Sequence, residues 1–336
     1  MSASSQPSSK RARSQDGGAA ASTTAAFDAL LARVPAAELR AFSEHVFLAL
    51  DGGGALAAEA AAEAAREAAV QQLRAVAAGM RAALPVSGSA PGEACTFPPA
   101  RLNCTERNSA FVDSFLYDDD DVDDLCASEP PRLARSYCTD PRCGYSRATL
   151  PLNFLSHSLS VKELEFIFSP RCLGDLTGRT VCDVGSRLGA VLFGGCLLSD
   201  AAQLVGVERQ SFFCELQRES IQRHGMQART RVLGADICSG EGRQALRDAD
   251  VVVLHNVFEF FGDDQEVSAA WECIRSTVSR KGQRLVVIPG LAESMAHLRE
   301  QPPWQDWVCE IPLVLPSEDG DDDDFTADVH LYAVRG

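Results

Sequence analysis

No uninterrupted apolar run in this chain approaches the ~18 residues of a membrane-spanning helix, and the N-terminal MSASSQPSSKRAR has no apolar core of a secretory leader. An intracellular protein is therefore expected, cytoplasmic or nuclear, with no membrane partner. Positive charge is also scarce: 31 Lys and Arg stand against 47 Asp and Glu, a net charge of −16 at pH 7. Phosphate backbones are held by clustered cations, so direct nucleic-acid binding is not expected. Paired C-x-x-C motifs are missing although the chain has 12 cysteines. Cys182, Cys196, Cys238 and Cys273 sit inside apolar runs and read as small buried hydrophobes. Cys138 and Cys143 lack the second pair or the histidines that a zinc site would show, so no metal is assigned.

What is present divides by composition. Residues 1–25 are rich in Ser, Ala and Gly and cannot bury enough apolar surface to fold; Lys10, Arg11 and Arg13 make a short basic cluster there. Residues 26–85 turn helical, with Phe27, Leu30, Leu31 and Val34, then Leu39, Phe42 and Val46. A narrow stripe of Val70, Leu73, Ala77, Met80 and Leu84 follows in an alanine-rich segment. So narrow a stripe packs either on the main domain or on a second copy, which leaves self-association through these helices open. Residues 86–150 lose periodicity and read as an irregular, cysteine-bearing connector. Its acidic run Asp118–Asp124, like Glu318–Asp324 further on, reads as a solvated loop or as a docking surface for a basic partner protein.

From residue 151 to 336 the pattern alternates strand and helix, which predicts an α/β fold with a doubly wound, mostly parallel sheet. Ser160 and Glu163 make an S-x-x-E capping box before a helical Val161, Leu164, Phe168. Among the polar residues just before it, His157 is a candidate for substrate contact or proton transfer, or for bonding the loop backbone. Strands are expected near 180–183, 205–208, 230–233, 249–254 and 284–288, then at Trp307–Leu313 and Val329–Val334, with a helix over Leu291–Arg299.

The organising stretch is TVCDVGSRLGAVLFGGCLLSDAAQLVGVE, residues 180–208. An apolar strand ends in Asp183, a glycine-bearing turn opens a helix, and a second strand ends in Glu208. Such a unit offers backbone N–H groups and a helix N-terminus beyond the first strand, while the second-strand acid can take ribose hydroxyls. A dinucleotide fingerprint would read G-x-G-x-x-G; here the glycines are Gly185 and Gly189 with Asp183 ahead of them.

Asp-x-Gly-x-x-x-Gly followed by Gly206-Val-Glu208 resembles the class I S-adenosylmethionine-dependent methyltransferases, of seven-strand Rossmann-like fold. The resemblance implies a transferase with S-adenosyl-L-methionine as cofactor, bound by Asp183, Gly185, Ser186, Gly189 and Glu208, with Asp236 and Ile237 at the adenine. It covers roughly the last 180 residues. In the family a further glycine stands where this chain has Arg187, so a side chain enters the turn. The Gly-Ser turn, the Gly-Val-Glu strand end and Asn256, Phe258 and Phe260 are also similar, more weakly, to the non-SET histone-lysine methyltransferases.

The fourth strand delivers His255-Asn256-Val-Phe-Glu259 to the carboxyl edge of the sheet, where ligands of open α/β sheets bind. Asn256 and Glu259, then His255, are the candidate substrate-side residues. The segment is not the Asn/Asp-Pro-Pro-aromatic motif of enzymes that methylate nucleobase amines. A basic protein, with lysine as one acceptor, or a small molecule is the expected substrate; the alternative is a catalytically silent methyltransferase-like domain used for binding or assembly.

Overall fold

The computed structural model describes residues 33–35, 38–50, 55–93, 112–127, 158–256, 264–296, 298, 303–313 and 328–335. Two compact units result, Met1–Ala65 and Arg66–Gly336. In the first, helix α1 (Leu39–Leu50) leaves Phe47 61% exposed, and helix α2 (Ala55–Arg81) begins. Phe27 to Leu31 lie outside the described residues, and Val34 stands in a turn before α1. Among the described residues no helix is long and apolar enough to cross a membrane.

The second unit explains the narrow stripe on α2. Val70, Leu73, Ala77, Met80 and Leu84 are all buried, in one core with Phe115, Leu164 and Phe193. Phe115 and Phe193 stack with ring centroids 6.1 Å apart. This stripe is therefore covered within the unit, as ordinary hydrophobic burial requires.

The acidic run departs from the solvated loop expected of it. Helix α3 spans Asp119–Ala127. Asp118 accepts from the amide of Asp121 at 2.9 Å while Asp121 accepts from the amide of Asp118 at 3.2 Å, a reciprocal N-terminal cap. Three aspartates in the first turn complement the positive end of the helix dipole. The side turned inward is neutralised by α2, where Arg81 pairs with Asp121 and lies 4.5 Å over the Tyr117 ring. Asp119, Asp120, Asp123 and Asp124 stay exposed. The second run, 318–324, lies outside the described residues.

Helix α4 (Val161–Ile167) starts at the capping box read in the sequence, with Ser160 accepting from the amide of Glu163 and Glu163 from that of Ser160. The sheet then builds in order: β1 (Thr180–Val184), helix α5 (Ala190–Leu198), β2 (Gln203–Glu208), helix α6 (Ser211–Arg223), β3 (Thr230–Gly234), helix α7 (Gly240–Asp248), β4 (Val251–His255), helix α8 (Asp264–Thr277), β5 (Arg284–Ile288), the helical turns α9 (Leu291–Ser294) and α10 (Trp304–Trp307), β6 (Val308–Ile311) and β7 (His330–Val334). Its seven strands lie in the order β3-β2-β1-β4-β5-β7-β6. The first five strands in space, β3 to β5, are joined by four parallel pairings, and β7 is antiparallel to both β5 and β6.

Alternation along the central strands feeds two cores, one on each face. Val251 and Val253 of β4 go to one, Val252 and Leu254 to the other, and all four are buried. Two late elements are shorter than their sequence pattern. The helix expected over Leu291–Arg299 ends at Ser294, whose hydroxyl donates to the carbonyl of Pro289 at 2.8 Å. The strand expected from Trp307 begins at Val308, because Trp307 closes a helical turn and its indole N–H donates to the carbonyl of Val278 at 2.6 Å.

Candidate functional site

Register sets the site. Asp183 pairs with Gly206 and Val253, Glu208 with Gly234, and His255 with Ile288, so β1, β2, β3 and β4 end on one edge of the sheet. The chain leaving β1 must turn sharply to start α5, and two glycines allow it: Gly185 at φ 70° and Gly189 at φ 86°. The amides of Gly185 and Ser186 donate to the carbonyl of Val207 at 2.8 and 3.2 Å, seating the turn on β2. Arg187, between the glycines, takes φ 43°, the left-handed region that side chains disfavour.

Several bonds hold that arginine there. Its amide donates to Glu208 Oε2 at 2.9 Å, and its carbonyl accepts from Gln217 Nε2 at 2.8 Å. Gln217, fully buried on α6, also accepts from the Ser186 hydroxyl at 2.9 Å. The Arg187 guanidinium lies 4.5 Å over the ring of Phe213 and pairs with Glu93 at 2.8 Å. Its other oxygen leaves Glu208 accepting from the amide of Gln210 at 2.7 Å.

A cavity of about 440 Å³ opens above this turn. Of the residues singled out in the sequence, Gly185, Glu208, Asp236, Ile237, His255 and Asn256 line it. Asp183, Ser186 and Gly189 do not; they shape the floor. Asp183 is buried, and burial first, then the negative charge of Glu208, push its carboxyl up to about 8. Ser186 is spent on Gln217, and Gly189 is the N-terminal residue of α5, where a Cβ would meet Gln217 and Phe193 at 3.1 Å.

Asp236 does not cap the following helix, the other role open to it. Its Oδ1 accepts from the amide of Cys238 at 2.7 Å, and the cap of α7 is Ser239, which accepts from the amide of Gly242 at 3.1 Å. Asn256 leaves β4 at φ 47°, buried, with its amide donating to the carbonyl of Ile288 at 2.9 Å. Its side-chain nitrogen lies 3.4 Å from Nε2 of His255, so the two meet at the cavity wall. Glu259, Phe258, Phe260 and His157 lie outside the described residues, as do Cys138 and Cys143.

Sequence reading missed half of the wall. Phe213 and Gln210 come from the start of α6, Cys238 from the loop after β3, and Glu266, Val267 and Ala270 from α8. Phe213 was legible only as a helix-core residue. Its position in the first turn after the Glu208 strand end is the signal that could have found it. Burial and its neighbour Cys273 push the Cys238 thiol up to about 12, which favours the thiol over the thiolate.

No known protein-family model matches the chain, and no curated protein does. Solved structures do. A putative S-adenosyl-L-methionine-dependent methyltransferase of Methanococcus maripaludis is 19% identical over 33% of this chain and 48% of its own, with a TM-score of 0.29. A putative O-methyltransferase of Klebsiella pneumoniae is 14% identical over 54% of this chain and 83% of its own, at 0.35. An O-methyltransferase of Bacillus cereus in complex with SAH is 16% identical over 55% and 85%, at 0.36. This chain thus spans about half the length of the first of these, and scores so low say nothing of activity. The sheet itself has the seven-strand, doubly wound, mostly parallel order, with antiparallel β7 inserted between β5 and β6, that the methyltransferase resemblance of the sequence implies.

Proposed function

We propose that the chain is an S-adenosyl-L-methionine-dependent methyltransferase. The observation that carries this is the cavity at the carboxyl edge of the sheet, bounded by the turn after β1, by Glu208 at the end of β2 and by Asp236 and Ile237 after β3. Its volume of about 440 Å³ suits a nucleoside-sized ligand. Glu208 faces it with an acceptor for ribose hydroxyls, Asp236 with an acceptor for an exocyclic amine, and Ile237 with an apolar surface for a base. Arg187 does not close the site, since its guanidinium lies against Phe213 and Glu93 and forms wall.

S-adenosylmethionine, when bound, supplies a methyl group activated on a sulfonium. What the protein does is bind, align and exclude water. Gly185 lets the backbone approach the ligand, and Glu208 fixes its ribose. Asp183, beneath the turn, offers a carboxyl that ionises readily once a cation stands near it. Asn256 and His255 stand where an acceptor would enter, with Glu259 following them in the chain. A basic protein is the acceptor class we favour, lysine among its side chains, because the net charge of −16 draws cationic partners. Intracellular residence, cytoplasmic or nuclear, goes with that reading.

The test is calorimetric titration of the full chain with S-adenosylhomocysteine and S-adenosylmethionine, with Glu208→Ala and Asp183→Ala beside it. Micromolar binding lost in Glu208→Ala is the expected result. No heat of binding to the unaltered protein overturns the enzyme reading and leaves a methyltransferase-like module.

A further inference from the structure

The segment before α3 makes a buried ion pair with the cofactor turn. Arg187 is 7% exposed, and its Nη1 and Nη2 donate to the two oxygens of Glu93 at 2.8 and 3.1 Å. Nη2 also reaches the carbonyl of Gly88 at 3.4 Å. Glu93 is itself fixed, since its Oε2 accepts from the amide of Ala90 at 2.8 Å. Gly88 stands at φ 63°, and a Cβ there would meet Asp113 Oδ2 at 3.0 Å; the amide of Asp113 donates to the carbonyl of Val86 at 2.8 Å. Residues 85–93 are thereby tied down at both ends, to Asp113 and to Arg187.

On the turn side, one residue is fastened by three handles. The amide of Arg187 goes to Glu208, its carbonyl to Gln217 and its guanidinium to Glu93. The first two would serve a glycine equally. The third, with the weaker contacts to the Gly88 carbonyl and the Phe213 ring, deals with the side chain, and it alone pairs a charge that burial penalises unless it is paired. Without Glu93 that charge is left unpaired at the cavity wall.

We infer that Glu93 is a positioning residue for the cofactor turn: it holds the Arg187 side chain against Phe213, as wall of the cavity and out of its interior, and so lets an arginine stand in a turn shaped for glycine. The inference rests on reading the cavity as the S-adenosylmethionine site.

Four full-length proteins test it by calorimetry with S-adenosylhomocysteine, with thermal melting alongside: unaltered, Glu93→Gln, Arg187→Gly, and the double variant Arg187→Gly with Glu93→Gln. Glu93→Gln should bind at least 10-fold more weakly, since the unpaired arginine competes for the cavity, while the double variant and Arg187→Gly should bind within 3-fold of the unaltered protein. A purely structural role for Glu93 would lower the melting temperature of both Glu93 variants and leave affinity alone. Glu93→Gln binding as tightly as the unaltered protein, or the double variant binding as weakly as Glu93→Gln, overturns the inference while the cofactor site stands. Absence of binding by the unaltered protein overturns the cofactor reading and this inference with it. If Glu93→Gln does not fold, Glu93→Asp is read in its place: a 3-fold or greater loss supports the inference and unchanged affinity overturns it.

Discussion

Asp183, next to last in β1, and Glu208, last in the neighbouring β2, are both buried, and Asp183 is held up to about 8 by burial first and by the charge of Glu208 second. Linkage turns this into a stability curve. Below its ordinary 3.8 the group is protonated folded or unfolded and makes no difference with pH. Between that value and about 8 only the folded chain keeps the proton, so stability falls as pH rises, by at most ~1.4 kcal/mol per unit from this group. Above about 8 the loss is complete. Asp183→Asn lacks the titration. Urea unfolding from pH 5 to 8.5 should show the variant gaining steadily on the unaltered protein, and parallel curves would refute this.

The same carboxyl should register the charge of the ligand. A sulfonium nearby favours the ionised form, so S-adenosylmethionine should displace close to one proton at pH 7, where Asp183 is mostly protonated. S-adenosylhomocysteine, neutral at sulfur, should displace far less. Calorimetry in buffers of differing ionisation enthalpy measures the difference directly. In Asp183→Asn both ligands should release nothing from this position, and equal release by both ligands in the unaltered protein would exclude Asp183 as the source.

Gln217 joins α6 to the turn, accepting from Ser186 and donating to the carbonyl of Arg187. It is fully buried, so removing its amide leaves a hydroxyl and a carbonyl without their partner. Gln217→Leu should cost ~2 kcal/mol in urea unfolding and weaken S-adenosylhomocysteine binding several-fold, because Arg187 loses one of the two bonds that hold its backbone. Loss of stability with unchanged affinity would mean that the turn keeps its shape without Gln217.

The parts of this molecule legible in its sequence are those fixed locally. The capping box of Ser160 and Glu163, the end of β2 at Glu208 and the apolar run Val251–Leu254 of β4 all follow from neighbouring residues, while β1 runs one residue past Asp183 to Val184. Where distant residues decide, the pattern was silent. Asp118–Asp124 is helical because Arg81 of α2 neutralises Asp121 and the dipole favours acids in the first turn, and neither is written in the run itself. Arg187 stood out as a departure from a glycine pattern, but its ion partner lies 94 positions earlier at Glu93. Glu266 and Ala270 reach the cavity only because α8 packs across the edge of the sheet beside α7.

Gly206 offers the most direct test of how tightly the turn is seated. It pairs with Asp183 in the middle of β2, and a Cβ there would meet the Ser186 hydroxyl at 2.6 Å and Leu192 Cδ1 at 2.8 Å. Leu192 is fully buried, so it has nowhere to move, and Ser186 is fixed by Gln217. Gly206→Ala must therefore push the turn away from β2 or open the contact with α5. Overpacking of this kind costs ~1–3 kcal/mol. The expected outcome is a melting temperature several degrees lower together with at least 10-fold weaker binding of S-adenosylhomocysteine, since the displaced turn carries Gly185 and the amide of Arg187 with it. Gly195→Ala is the control: its Cβ, in the second half of α5 and away from the turn, would strike Leu204 Cδ2 and Phe168, so it should lower stability comparably and leave affinity within 3-fold. Equal losses of affinity in both variants would mean that the site responds to general loosening of the core and not to the seat of the turn.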